Sequence, residues 1–483
     1  MKKQIILVAI GLFFTITSIA QNDIDAMRYS QITFGGTARF ASMAGSMGAL
    51  GGDFSTLSFN PAGIAVYRKS ELSITPSFFT QSTSSTYNDD NSTDRKLNFN
   101  LGNIGLVATK IFDEKNSNTG WQSINFGFGY NRTNNFNNRS VVQGSNKTSS
   151  LLDTYVGNAN GHASTDFDGF STGLAYDSYL INPINNLPST TNYNHVITHY
   201  GELQKKSVTS SGSMGETALS FGGNYKNKVL VGATLGIVKT RYTEDAVYEE
   251  IDEKDTIKGF KSFSFSQNLT TKGSGVNIKF GVIVKPTDWF RIGAAVHSPS
   301  VIGMKDTYNT SMKSDLDTVT FEKKSADGSF DYTVTNPFRA IGSLGFIILK
   351  NALLNVDYEY LDYSHAELTS SPNVFSDVNK VIRSKYTSTS NVRIGGEVRF
   401  DPLTFRAGFA SYGSPFLGGD NKNSKRTSYT AGIGFRENNY YIDFAYVFTR
   451  YSETSYLYDS PLLNPVQNNY HNSSFMFTFG VKF

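Results

Sequence analysis

The chain of 483 residues has no cysteine. That removes disulfide frameworks, thiolate metal sites and cysteine nucleophiles together. Beyond its first twenty residues it also lacks any long apolar run. A membrane helix needs about 20 consecutive apolar residues, so a helical transmembrane bundle is excluded. Charge is sparse at 18 % and balanced, 44 Lys and Arg against 41 Asp and Glu. The net charge of +3 argues against nucleic acid as the main partner. His162, His195, His199, His365 and His471 are scattered through loops without metal-ligand spacing, and His297 reads as a hydrogen-bonded wall residue. There is no nucleophile elbow, no P-loop and no spacing that nominates a Ser/His/Asp grouping. The sequence therefore gives no reason to expect an enzyme, a metal or a cofactor.

What is present is 27 Tyr, 37 Phe and 43 Gly in a chain whose mean hydropathy is only −0.30. That is the composition of a β protein, and it leaves open which solvent surrounds it. The first segment narrows the choice. Lys2 and Lys3 precede an apolar stretch from Ile5 to Phe14, and Ser18-Ile19-Ala20 supplies small residues for cleavage before Gln21. Residues 1–20 read as a bacterial secretory signal peptide, to be set aside in fold reasoning. With no cysteine after the cleavage site, a lipoprotein anchor is excluded.

The rest of the chain alternates with period two. Phe475, Phe477, Phe479, Val481 and Phe483 oppose Met476, Thr478, Gly480 and Lys482. Ile442, Phe444, Tyr446 and Phe448 oppose Asp443 and Thr449, and the same holds for many segments upstream. Alternation alone fits a soluble sandwich or a membrane barrel. Loop lengths separate the two. Fourteen segments read as strands, from 70–80 to 472–483. The turns after the fourth, sixth, eighth, tenth and twelfth shrink to Lys226-Asn227, Pro286-Thr287, Lys350-Asn351, Asp401-Pro402 and Glu437-Asn438. The connection from Asp113 to Gly120 is also short. Every odd-numbered strand is instead followed by a connection of about a dozen residues or more, the longest near 134–214. A sandwich has no reason to sort its loops by parity, whereas short periplasmic turns and long external loops characterise outer-membrane barrels. The expected fold is all-β, a closed antiparallel transmembrane β-barrel over 70–483, in the outer membrane of a Gram-negative bacterium. Closure would satisfy every backbone polar group in lipid.

Residues 21–69 are not strand-like. Gly35 to Asp53 is dense in small residues and leads through Ser55 to Asn60-Pro61-Ala62-Gly63. Small residues permit close packing in a confined space, and Asn-Pro-Ala-Gly is a turn with a fixed φ at Pro61. With a barrel directly behind it, this segment resembles the hatch of the FadL/TodX-type outer-membrane transporters. That family combines a fourteen-stranded barrel with an N-terminal plug carrying Asn-Pro-Ala. The stretches Leu151 to Pro183 and Asn336-Pro337-Phe338-Arg339-Ala340 resemble Bacteroidetes-type branches of the family. The terminal aromatic Phe483 resembles the C-terminal signal strand that the barrel assembly machinery reads.

The resemblance implies passive uptake of a hydrophobic small molecule, such as a long-chain fatty acid or hydrocarbon, by a monomer set among outer-membrane lipid and lipopolysaccharide. The molecule would be caught at external loops and released through a plug-gated lateral opening, with Asn60, Pro61, Ala62 and Gly63 at the gate. Leu151, Leu152, Tyr155, Phe167, Phe170 and Leu174 are spaced for short amphipathic helices. They are candidates for ligand capture or for packing the loop onto the rim. On the inner face Asp357 and Glu359 lie beside Arg393, Arg399 and Arg406, where ion pairing competes with recognition of a fatty acid carboxylate. Two alternatives stay open: a type IX secretion cargo shuttle or scaffold of the same fold, and a receptor for haem or another ligand.

Overall fold

The structure, a computed structural model, describes residues 23–112, 120–184, 190–349, 351–460 and 462–483. The expected export segment 1–20, most of the Asp113 to Gly120 turn and Lys350 lie outside the described residues. Fourteen antiparallel strands close on themselves. They are β1 (Glu71–Tyr87), β2 (Asp90–Ile111), β3 (Trp121–Asn135), β4 (Leu203–Tyr225), β5 (Val229–Ile251) and β6 (Ser262–Val284). Next come β7 (Phe290–His297, continued as Val301–Asp315), β8 (Gly328–Thr335, continued as Arg339–Ile348) and β9 (Ala352–Asp362). The wall ends with β10 (Ser388–Phe400), β11 (Leu403–Tyr412), β12 (Arg426–Glu437), β13 (Tyr440–Ser455) and β14 (Val466–Lys482). Each pairs with the next, and β14 returns to β1 with Glu71 opposite Lys482 and Thr86 opposite Gln467. The expected closed barrel is the fold observed.

Its two faces are inverted relative to a soluble protein. Leu235, Ile278, Phe280, Ile292, Ile394, Phe405 and Phe435 point outward and are exposed, while Thr234, Asn277, Lys279, Asn355, Asp357 and Arg393 are buried inside. No helix among the described residues is long and apolar enough to cross a membrane.

Two details depart from expectation. The first strand has no long connection behind it. It runs on to Tyr87 and turns through Asn88 (φ 46°) and Asp89 (φ 70°) into β2. The Ser- and Thr-rich stretch around it reads as loop because its inward face is polar too: Gln81, Thr83 and Ser85 are buried there, so no apolar half of the pattern marks the strand. Asn and Asp tolerate the left-handed backbone that a two-residue hairpin turn needs. Strands β7 and β8, expected continuous, are each broken once, as described below.

Residues 23–69 form α1 (Asp23–Ser30), α2 (Ala38–Ser42) and two 3-10 turns at Phe54–Ser58 and Pro61–Val66. This segment makes little regular structure, so its backbone groups must find other partners. They find inward-facing side chains around the wall. Thr478 on β14 accepts from the Ala38 N–H at 2.7 Å, and Thr430 on β12 donates to the Ser42 carbonyl at 2.7 Å. Asn125 on β3 donates to the Ile64 carbonyl at 2.6 Å, and Thr234 on β5 donates to that of Leu57 at 3.0 Å. Asp357 on β9 accepts from the amides of Met47 and Gly48.

Space for the segment comes from glycine. Gly222, Gly232 and Gly281 stand in register on β4, β5 and β6, giving a smooth inner patch. A Cβ on Gly281 would lie 1.9 Å from the Asn60 side-chain oxygen, and one on Gly232 would lie 2.3 Å from the Pro61 carbonyl oxygen. Gly281→Ala is therefore expected to lose about 1–3 kcal/mol of stability through overpacking. Gly342→Ala, where nothing lies within 4 Å of the new methyl, should be close to neutral in the same denaturant titration.

Candidate functional site

Asn60 caps the Pro61–Val66 turn: its side-chain oxygen accepts from the Ala62 N–H at 3.1 Å. Its amide donates to the Gly48 carbonyl at 2.6 Å, tying the turn to the small-residue run before it. Pro61 occupies the first helical position, where a missing N–H costs nothing. Gly63 is held tightly, since a Cβ there would meet the Thr56 hydroxyl at 2.4 Å.

The inner-face charges singled out from the sequence enter two buried networks, and Lys279 with Glu216 makes a further buried pair. Arg393 donates to Glu359 at 2.6 Å and lies 3.9 Å from Asp357, and Arg339 donates to the other Glu359 oxygen at 2.6 Å. Arg406 bridges Glu397 at 2.7 Å and Asp443 at 2.6 Å, and Arg39 of the N-terminal segment reaches Glu397 at 2.9 Å. Arg399 stands apart at the short-turn end of the barrel, partly exposed and 3.9 Å from Glu397. Arg393 and Arg406 are thus already neutralised by carboxylates, although two Arg393 nitrogens keep no hydrogen-bond partner and its guanidinium packs 5.1 Å from the centre of the Phe59 ring. Arg39 and Arg339 escaped the sequence reading, because alternation ranks residues within strands and does not place the N-terminal segment. Breaking a buried pair on one side leaves an uncompensated charge, so Arg406→Met should cost about 3–5 kcal/mol. Glu397 keeps Arg39 as a partner, whereas Asp443 loses its ion pair, so the double variant with Asp443→Asn is expected to recover part of that loss in the same titration.

Between these networks and the long loops lies a cavity of about 930 Å³. Its lining combines α1 residues Met27 and Arg28 with Phe136, Tyr242, Tyr386 and Phe416. Arg28 sits 4.0 Å over the Tyr242 ring, and Arg426 sits 4.7 Å over Tyr451 while donating to Gln31 at 3.1 Å. None of these residues was singled out from the sequence. They come from α1, loops and strand extensions, and only their inward parity on the extensions could have flagged them. A second cavity of about 430 Å³ opens at the short-turn end among Arg39, Arg68, Arg291, Arg399, Arg436 and Lys482.

The capture-loop residues are placed together, but inward. Leu151, Leu152 and Tyr155 on α3 (Leu151–Ala159), with Leu174 on α4 (Thr172–Asp177), are buried against Tyr248, Phe263, Phe265 and Met312 of the strand extensions. Phe167 packs against Tyr193, and Phe170, half-buried, packs against Tyr308. They fasten the loop to the rim. The anchor at the start of α3 is Glu250, fully buried, which accepts from the Ser150 hydroxyl at 2.5 Å, the Leu151 N–H at 2.8 Å and the Tyr248 hydroxyl at 2.5 Å. Burial, with Glu202 nearby, pushes Glu250 up to about 8, and burial pushes Glu202 up to about 7. A carboxyl whose folded pKa lies above its unfolded value stabilises fully below the unfolded pKa and loses that contribution as pH rises through the folded one. Protease cleavage within 150–180 is therefore expected to accelerate between pH 5 and pH 9, and Glu250→Gln should flatten that profile.

The wall is interrupted at one height in β7 and β8. His297 pairs with Arg339 and Val301 with Thr335, but between them Ser298-Pro299-Ser300 and Asn336-Pro337-Phe338 form no ladder pairs and share one backbone hydrogen bond, from the Asn336 N–H to the Ser300 carbonyl at 2.9 Å. Each proline lacks the N–H a ladder needs. The N-terminal segment abuts this interruption from inside. Asn336 donates to the Tyr29 carbonyl at 2.8 Å, Ser30 donates to Asn336 at 3.1 Å, and His297 hydrogen-bonds the Phe59 carbonyl at 2.7 Å.

No family model matches the sequence, and no curated protein sequence matches it. Solved structures do. A FadL homologue from Pseudomonas aeruginosa is similar at a TM-score of 0.56 and 13 % identity, over 94 % of this chain and 100 % of that one. The P. putida toluene transporter TodX gives 0.56 and 12 % over 93 % and 99 %. The Ralstonia pickettii toluene transporter TbuX gives 0.52 and 15 % over 94 % and 100 %. At these identities the likeness is one of architecture: over nearly its whole length the chain has the fold of the FadL/TodX-type barrels.

Proposed function

We propose that the chain is an outer-membrane channel for passive uptake of hydrophobic small molecules, with residues 23–69 acting as its plug. The observation that carries this reading is the aromatic-lined cavity of about 930 Å³, held between external loops and a segment that fills the barrel below it. An apolar solute crosses a polar saccharide layer poorly, and a pocket offering rings and methylenes lowers that barrier. The outward apolar band supplies the membrane fit. The architecture shared with toluene transporters supports hydrocarbons as the ligand class, and the resemblance of the Asn60-Pro61-Ala62 segment to the FadL/TodX-type hatch extends the reading to fatty acids.

The release route in this reading is the interruption between β7 and β8. Tyr29, Ser30 and Phe59 close it from the lumen, so a shift of the N-terminal segment would connect cavity and lipid without returning the solute to water. Proteoliposomes taking up a labelled long-chain fatty acid and labelled toluene test both parts. Replacing Asn60-Pro61-Ala62 with Ala-Ala-Ala should change the uptake rate at least severalfold, and equal rates would refute a gating role. The chain's lack of cysteine allows a cleaner second test. Continuing the register places Ser298 opposite Phe338. The pair Ser298→Cys and Phe338→Cys, oxidised, should cut uptake more than tenfold, and reductant should restore it. Uptake insensitive to that disulfide would place the exit elsewhere.

A further inference from the structure

Above the apolar band the outer face of β5, β6 and β7 carries an unusual charge arrangement. Arg241 stands directly opposite Lys272, and Lys272 directly opposite Lys305. Lys239 lies two residues below Arg241 on β5, opposite Ser274. All four cations are exposed on the outward parity. Side chains directly opposite on neighbouring strands have Cβ atoms about 4.5–5.5 Å apart, and like charges so placed destabilise the pair. Among the described residues, none of the four makes an ion pair or a side-chain hydrogen bond. Asp331, opposite Lys305, is the one carboxylate in register with the row.

The surface beneath these cations is shaped as well as charged. Ser274 and Gly303 face each other there and leave a shallow open shelf: a Cβ added to Gly303 would meet only the Ser274 carbonyl oxygen, at 3.9 Å. One step lower the wall becomes apolar, with Ile237 opposite Val276 and Val276 opposite Val301. A cationic rim, a small-residue shelf and an aliphatic wall thus follow one another down three strands. A free anion would use only the first. An amphiphile whose head carries phosphate and whose chains lie along the wall would use all three.

We propose that this shelf binds the phosphorylated headgroup of an outer-leaflet glycolipid, its phosphates between Lys239, Arg241, Lys272 and Lys305 and its acyl chains against Ile237, Val276 and Val301. Clustered Lys and Arg beside a membrane recognise anionic headgroups, and the forked guanidinium suits phosphate. The assignment relies on the long loops being external and is independent of what the lumen transports.

The test uses the full chain in detergent and bisphosphorylated lipid A as the probe. Native mass spectrometry should show a lipid adduct on the wild type, and titration should give an affinity at least tenfold weaker for Lys239→Gln/Arg241→Gln/Lys272→Gln/Lys305→Gln. Removing an equal charge from the loops, by Lys254→Gln/Lys258→Gln/Lys323→Gln/Lys324→Gln, should leave binding unchanged. The shelf variant should be no less heat-resistant than the wild type without lipid, because it relieves like-charge contacts, while lipid A should raise the melting temperature of the wild type alone. Should the fourfold variant fail to fold, Lys272→Gln/Lys305→Gln carries the same comparison. Dephosphorylated lipid A should not bind, and millimolar inorganic phosphate should not displace the probe. Equal affinity in the two fourfold variants would overturn the site, and displacement by inorganic phosphate at the probe's own concentration would reduce it to a free-anion site.

Discussion

A ring of fourteen strands encloses more volume than its own inward side chains fill, and what occupies that volume governs the rest of the molecule. Here the occupant is an irregular stretch of the same chain. Its unpaired amides and carbonyls cannot be left dry, so the wall answers with Thr478, Thr430, Asn125, Thr234 and Asp357 at the heights where they are needed. Its bulk cannot overlap the wall, so glycines replace larger residues where the turn at Asn60 and Pro61 approaches. Part of the polar average and of the glycine content of the sequence follows from that demand, and the rest lies in exposed loops and turns.

The same demand separates what could be read in the sequence from what could not. Period-two alternation and the parity of loop lengths are local properties, and they disclose the barrel because the outward face is apolar, the inward face is polar, and short turns alternate with long connections. Charged inner positions such as Asp357, Glu359, Arg393 and Arg406 are visible by the same parity. Their partners are only partly visible, because Arg39 arrives from a segment with no periodicity and Arg339 follows a break in β8. The hairpin at Asn88-Asp89 was hidden because strands that rise above lipid lose the apolar half of their pattern. The loop residues from Leu151 to Leu174 show the limit in reverse. An amphipathic helix declares that it has an apolar face, not whether that face meets a ligand or, as here, the rim.

The external layer and the lumen are held by different chemistry. In the lumen, ion pairs are enclosed and locked by several donors each. At the rim, an aromatic and aliphatic cluster does most of the fastening, and the carboxyl of Glu250 is tolerated because the start of α3 and two hydroxyl groups surround it. A lumen fixed by charge and a cap fixed by burial respond to different conditions, which allows the outer layer to loosen while the barrel stays closed.

The seam between β1 and β14 has a consequence for how the molecule is made. Its side chains meet across great sequence distance: Thr75 and Thr478, 403 positions apart, share a hydrogen bond. Such contacts form late, because the intervening chain must be ordered first. Residues 23–69 precede β1 and are enclosed by the finished ring. Biogenesis therefore couples two events that the sequence separates: the sealing of β1 to β14 and the seating of the residues that precede β1.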